Sequence, residues 1–176
     1  MWSTGNVQAD AEDFRVALRQ YAAGVALVTV QDDIDDVGTT VTSVMSVSAD
    51  PPLIAVGLSA AGYPREVLEE VGRCGVSVLS ASQGILASRF SSAGRPSARH
   101  LLESVPWTRG AGSGAILLTD ALTALDCRVQ QLVEAGDHVI AVLEVLAVPV
   151  LNADAVPLLR VRGRYTDPDG RPAGRH

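Results

Sequence analysis

Aromatic side chains are scarce in this chain, 4% of 176 residues, and charged ones make up only 19%. A core must therefore be assembled from Ala, Val and Leu, which dominate a hydrophobic fraction of 47%. A basic excess is also lacking. The formal net charge is −6, which excludes the broad cationic surface that nonspecific nucleic-acid binding needs to displace counterions. No nucleic-acid partner is expected, although backbone amides and a few arginines can still hold a phosphate. No apolar run approaches the roughly 20 residues that span a bilayer, so no membrane partner is expected either. The opening MWSTGNVQADAEDF has neither the basic start nor the apolar stretch of a signal peptide. The only cysteines, Cys74 and Cys127, have no His or Cys at ligand spacing and read as buried free thiols. Metal is expected nowhere: the acids Asp32, Asp33, Asp35 and Asp36 lack calcium-loop spacing and read as a solvated turn. No G-x-G-x-x-G follows the first strand, and no nucleophile elbow is visible. These absences leave a single reduced, cytoplasmic domain.

What is present is concentrated in residues 38–52, GTTVTSVMSVSADPP. Read as one extended strand, it places the hydroxyls of Thr40, Thr42, Ser46 and Ser48 on one face, and the Pro-Pro pair ends ladder pairing. A row of hydroxyls and amides suits a flat polar heterocycle carrying a phosphate. The alternative is a half-buried strand with a Ser/Thr-rich solvent face, since Thr favours strands in any case.

The flanking pattern is helix, strands, helices, strands. Asp10 caps an amphipathic helix carrying Phe14, Leu18 and Tyr21, with Gly24 as its stop. Strands are expected over Val25–Val30, the hydroxyl run and Leu53–Leu58, as a meander. YPREVLEEVG reads as a short helix with Pro64 in its first turn and Gly72 past its end. Cys74–Leu79 is a strand, Ser80 and Gln83 have capping-box spacing, and residues 91–114 read as a long loop. Leu125, Cys127 and Val129 alternate with Asp126, Arg128 and Gln130, a strand buried on one face. His138–Val148 is apolar on both faces, apart from His138 and Glu144, so it is expected to be covered on both sides. Glu144 needs a partner, and Arg128 on the preceding strand supplies one. A last strand, Leu158–Tyr165, precedes a tail expected to be disordered. The fold class is α+β, mainly β, with a closed or nearly closed sheet. The domain covers residues 11–166, and residues 1–10 and 167–176 are flexible termini.

Four blocks in order, FRVALRQYAAGVALVTV, GTTVTSVMSVSADPPLIAVGL, AGDHVIAVLEVLAV and PLLRVRGRY, resemble the short flavin reductase family. That resemblance implies a Greek-key split β-barrel with short flanking helices that binds FMN or FAD. It implies NADH or NADPH as electron donor, a homodimer, and delivery of reduced flavin to a flavin-dependent monooxygenase. It places Thr40, Thr42, Ser43 and Val44 against the flavin ring and ribityl chain, with Ser46 and Ser48 further along. Ser59 lies near the phosphate, and Arg89, Phe90 and Ser91 close over the same region. Gly136, Asp137 and His138 border the nicotinamide donor, with His138 as the candidate catalytic residue, and Arg162, Gly163 and Tyr165 border the same cleft. The amides at the helix start near Pro64 and the Arg89 guanidinium suit a phosphate.

Two departures stand out. Where relatives often carry Ser-x-Thr, this chain has Ala60-Ala61-Gly62-Tyr63, which thins the phosphate grip or shifts it to Arg95, Arg99 or another loop residue. Where relatives often have an aromatic residue, it has Arg160 and Val161. Two alternatives to a reductase follow: a flavoenzyme that keeps its flavin and transforms an organic substrate, and a non-catalytic split-barrel binding protein. Trp107 either stacks on a ligand or anchors its loop. His100 reads as solvent-exposed, and His176 carries no functional reading.

Overall fold

The computed structural model describes residues 9–33, 35–92, 94 and 97–174. Residues 1–8, Arg95 and His176, which figure in the expectations above, lie outside them. Asp10 caps helix α1 (Ala11–Leu18), its carboxylate accepting from the amides of Glu12 and Asp13 at 2.8 and 3.3 Å. The helix stops at Leu18 and does not run to Gly24. Ala23 and Gly24 form the two-residue strand β1, because their backbone pairs with Arg160 and Leu159 near the other end of the chain.

Strands β2 (Ala26–Gln31) and β3 (Asp36–Val41) form an antiparallel hairpin. The hydroxyl run is not one strand. It breaks at Thr42-Ser43 and resumes as β4 (Val44–Ala49), which pairs with β5 (Pro52–Ser59). Helix α2 (Tyr63–Val71) has Pro64 in its first turn and Gly72 in the left-handed region at φ 68° as its C-cap. After β6 (Arg73–Val78), the Ser80–Gln83 capping box closes a 3-10 turn that leads into α3 (Gly84–Ser91). The expected long loop instead contains α4 (Ala98–Leu101) and a small hairpin of β7 (Trp107–Arg109) with β8 (Ile116–Leu118). Two long strands follow, β9 (Thr123–Ala135) and β10 (His138–Leu151). The expected last strand is a hairpin, β11 (Leu159–Val161) and β12 (Arg164–Thr166), because Arg162 and Gly163 both take positive φ and turn the chain.

Seven strands form one antiparallel sheet in the order β3-β2-β6-β9-β10-β5-β4. Its two edges, β3 and β4, are only two residues apart in the chain, so the sheet must curl until they meet. Ser43 makes the junction: its carbonyl and hydroxyl both accept from the Gly57 amide at 3.0 and 3.1 Å. This is a barrel split beside β3, as expected, and not a simple meander. Its interior holds Val28, Val30, Val56, Leu58, Val76 and Leu143, plugged by Val67 and Leu68 of α2. A second cluster outside the sheet packs Leu27 against Leu86 and Phe90 of α3, Leu102, Ile116 and Leu118. Strand β2 is therefore buried on both faces.

Cys74 and Cys127 face each other across β6 and β9 as buried free thiols. Strand β10, however, is covered on one side only. Val139, Ala141 and Leu143 point inward, while Ile140, Leu146, Val148 and Leu151 are exposed. Three polar expectations also change. Asp36 is fully buried and not part of a solvated turn, because it accepts from Arg109 and Arg99. Asp126 is buried on a face expected to be wet, because its carboxylate accepts the amides of Gly112 and Ser113 at 2.6 and 3.0 Å. The C-terminal stretch 167–174 is held down: Arg171 bonds back to Asp167, the Ala173 amide donates to the Tyr165 carbonyl, and the Ala173 methyl occupies the space left by Gly84. Glu144 pairs with Arg128 at 2.6 Å, as the spacing predicted.

Candidate functional site

Alternate residues of one strand point to one face. Along β3 and just past it these are Gly38, Thr40 and Thr42, and each borders a cavity. Gly38 lines a cavity of 510 Å³, Thr40 and Thr42 one of 160 Å³, and Thr42 with Ser43 one of 460 Å³. The latter two share Thr42 and Arg160. The three positions span about 13 Å of extended backbone, so the cavities lie in a row along one face of β3, an interrupted groove beside the split. Phe90 explains the glycine: a Cβ at Gly38 would stand 2.9 Å from its ring. Phe90 itself is buried and supports the strand without lining the groove.

The middle of the groove is walled by Thr40, Thr42, Ser91, Arg160 and Tyr165. The hydroxyls of Thr40 and Thr42 have no partner among the described residues and are available to a ligand. The guanidinium of Arg160 lies 5.1 Å from the centre of the Tyr165 ring, stacked on it as a cation–π pair. One end is lined by Arg15 of α1 and its C-cap Arg19, by Arg160 and Arg162, and by Phe14, Leu18 and Tyr21, with no carboxylate among the lining residues. Arg162 is anchored there: its amide donates to the Arg19 carbonyl at 2.7 Å and its Nε to Gln20 Oε1 at 3.1 Å.

The other end is acidic. Asp32, Asp35 and Asp36 stand beside Gly62, Tyr63 and Pro64 at the start of α2. Much of that charge is committed. Tyr63 donates to Asp32 at 2.8 Å, which pushes the phenol pKa up. Burial would raise the pKa of Asp36, but hydrogen bonds from Arg109 and Arg99 outweigh it and hold the carboxyl below its ordinary 3.8. Arg109 also covers Trp107 at 5.2 Å, so that Trp anchors the loop.

The Gly136-Asp137-His138 turn sits at the end of the β9–β10 hairpin, with Gly136 in the left-handed region at φ 68°. His138 pairs in register with Ser59, and the Ala60 amide donates to the Asp137 carbonyl. His138 Nδ1 lies 2.7 Å from Asp137 Oδ1. That hydrogen bond, then the imidazole charge, lowers the Asp137 pKa, and Arg15 adds to the effect. None of Gly136, Asp137 and His138, however, lines any of the three cavities.

The structure thus gathers Thr40, Thr42, Ser43, Ser91, Arg162 and Tyr165 along one groove. Ser43 spends its hydroxyl on Gly57, so it shapes the edge. Val44, Ser46 and Ser48 lie on β4, beyond the break, and border none of the three cavities. Arg89 is exposed on α3, also off the groove, and Ser59 lies at the end of β5. Sequence reasoning missed Arg15 and Arg19. The signal was the period of four that sets them one turn apart on the helix, beside the apolar face of α1.

A flavin presents a flat ring edged with hydrogen-bonding atoms and, at its far end, a phosphate. Uncommitted Thr hydroxyls, a backbone crossover outside ladder pairing, an aromatic wall and adjacent guanidiniums fit those groups. Fold and groove together define a split-barrel flavin-binding protein. Residues 18–169 match the family described as flavin reductase like domain, and the chain belongs to it. It is 37% identical to the NADH-dependent FMN reductase AsuE2 of Streptomyces nodosus subsp. asukaensis, over 88% of this chain and 83% of that protein. It is 33% identical to the NADH-dependent flavin reductase StyB of Pseudomonas fluorescens, covering 90% and 91%. Among solved structures it is similar to BorF, the flavin reductase component of a bacterial two-component tryptophan halogenase, with TM-score 0.83, 33% identity and coverage of 93% and 99%. It is also similar to the NADH:FAD oxidoreductase of Streptomyces globisporus in complex with NAD and FAD fragments, with TM-score 0.81, 29% identity and coverage of 91% and 95%.

Proposed function

We propose that the protein reduces FMN or FAD with NADH or NADPH and hands the reduced flavin to a partner flavin-dependent oxygenase. The observation that carries this reading is the β3 groove, whose hydroxyl-lined middle adjoins a cationic end. A bound flavin supplies the ring that accepts hydride. Thr40 and Thr42 orient that ring through their free hydroxyls, and the backbone at Thr42-Ser43, outside ladder pairing, offers further hydrogen bonds. Ser91 and the start of α2 at Gly62-Tyr63 bound the side expected for the flavin phosphate. Arg15, Arg19, Arg160 and Arg162 receive the phosphates of the nicotinamide donor. His138, held by Asp137 at the tip of the β9–β10 hairpin, retains Nε2 for a donor contact.

Release of flavin to a partner requires modest affinity. Acidic residues beside Gly62, and Gly and Ala in place of hydroxyls, keep the phosphate grip weak, which favours a diffusible flavin over a retained one. A second copy of the chain covers the apolar surface left by the monomer: Ile140, Leu146 and Val148 of β10, Met45 and Val47 of β4, and Phe14 and Leu18 of α1. Light scattering should report a homodimer. The decisive test of the activity is anaerobic stopped-flow mixing of protein, FMN or FAD, and each nicotinamide. Rapid bleaching of flavin absorbance is expected, and no bleaching with either donor refutes the reading.

A further inference from the structure

Resting on the reductase reading above, we infer that the arginine end of the groove recognises a phosphate on the adenosine ribose of the donor, so that NADPH is the preferred reductant. Four arginines line one 460 Å³ cavity with no carboxylate among its lining residues. Like charges so placed repel one another unless an anion of high charge joins them. Arg15 has a loose contact with Glu12, 3.6 Å between two exposed side chains, and a minor attraction to the exposed Asp137, which leaves its charge largely uncompensated.

Two of the four carry marks of placement. Arg162 is the only non-glycine residue at positive φ among the described residues, at 51°. An arginine there is disfavoured relative to the residues that usually fill such turns. Its amide and Nε contacts to Arg19 and Gln20 hold it in that conformation. Strain retained at a cavity wall points to a ligand. Arg160 is carried on the Tyr165 ring and borders both the arginine cavity and the hydroxyl-lined one, at the junction where a donor must approach the flavin ring. A free ribose 2′-hydroxyl is read by a carboxylate, whereas a 2′-phosphate is read by arginine. The lining of this cavity contains only the second kind of reader.

The test is kcat/KM for NADPH and NADH at saturating FMN, in the wild-type protein and in Arg160→Gln and Arg162→Asn. Asn tolerates the left-handed region and keeps the amide bond to Arg19, so the second variant keeps the turn while removing the guanidinium and its bond to Gln20. The same proteins are titrated with FMN and with riboflavin, which lacks the phosphate. The wild type should prefer NADPH, and each variant should lose about tenfold with NADPH but less than about threefold with NADH. A wild-type preference for NADH, or equal losses with both donors, overturns the inference. Loss of FMN-over-riboflavin discrimination in the variants also overturns it, by assigning the cluster to the flavin phosphate. Reduction of FMN by NADH alone keeps the reductase reading and sinks only this inference, whereas reduction by neither donor sinks both.

Discussion

The two ends of the β3 groove use charge in opposite ways. At the α2 end, acids are tied to partners: Asp36 to Arg109 and Arg99, Asp32 to Tyr63. At the α1 end, Arg15, Arg19, Arg160 and Arg162 surround open space with no acid among the lining residues. All fourteen cationic residues of the chain are arginine and none is lysine. Arginine serves both ends, as a bidentate staple at one and as an open anion receptor at the other. A charge that is buried and paired holds the fold, whereas a charge facing a cavity without a partner is available to a ligand.

Mutations should separate the two roles. The largest effect belongs to the acidic end. Asp36→Asn leaves Arg109 and Arg99 without their carboxylate and should cost about 3 kcal/mol of stability, measured by urea unfolding, with little change in the KM for either nicotinamide. A weakened donor KM at unchanged stability would erase the contrast. The same residue fixes a pH dependence. Its folded pKa lies below the ordinary 3.8, so its stabilisation is present above that value and is lost as pH falls through it toward the folded value. The melting temperature should therefore fall below about pH 4 in the wild type, and less steeply in Asp36→Asn.

Reversing charge at the other end should act on binding. Arg19→Glu places a carboxylate in the cation cavity and should raise the donor KM about tenfold at low salt, with a smaller difference at high salt. Steady-state kinetics across ionic strength check this. Between the two ends, Thr42→Val removes a free hydroxyl and should weaken FMN binding by about 1 kcal/mol, or roughly fivefold, read by fluorescence titration. The smallest effect is at the split itself. Ser43→Ala removes the hydroxyl that bonds Gly57 while leaving the carbonyl bond, and should lower stability by about 0.5 kcal/mol with flavin affinity less affected than in Thr42→Val.

Helix starts and strand cores were legible because their signals are local. Asp10, Pro64, Gly72 and the Ser80–Gln83 box each act within a few residues of themselves. Register was partly legible too, as the Glu144–Arg128 pair shows. Misreadings arose where a distant partner decides. A hydroxyl run alternates equally well whether it is one strand or two, and only the curling of the sheet forces the break at Thr42-Ser43. Asp36 resembles its exposed neighbours in sequence, and only Arg99 and Arg109, more than sixty residues away, bury it. The C-terminal stretch has a disordered composition, yet the groove at Gly84 holds Ala173.

By itself the sequence determined the secondary-structure alphabet, the small aliphatic core and the order of blocks that marks the family, because each depends on neighbouring residues and on periodicity. The tertiary structure alone decided which polar groups are spent and which are free. Ser43 is consumed by closure of the barrel and Asp36 by Arg99 and Arg109 of the segment packed outside it, while Thr40, Thr42 and four arginines from opposite ends of the chain are left lining one groove. The reason is physical: a side chain becomes available to a ligand when the fold gives it no partner of its own, and partners arrive from anywhere along the chain.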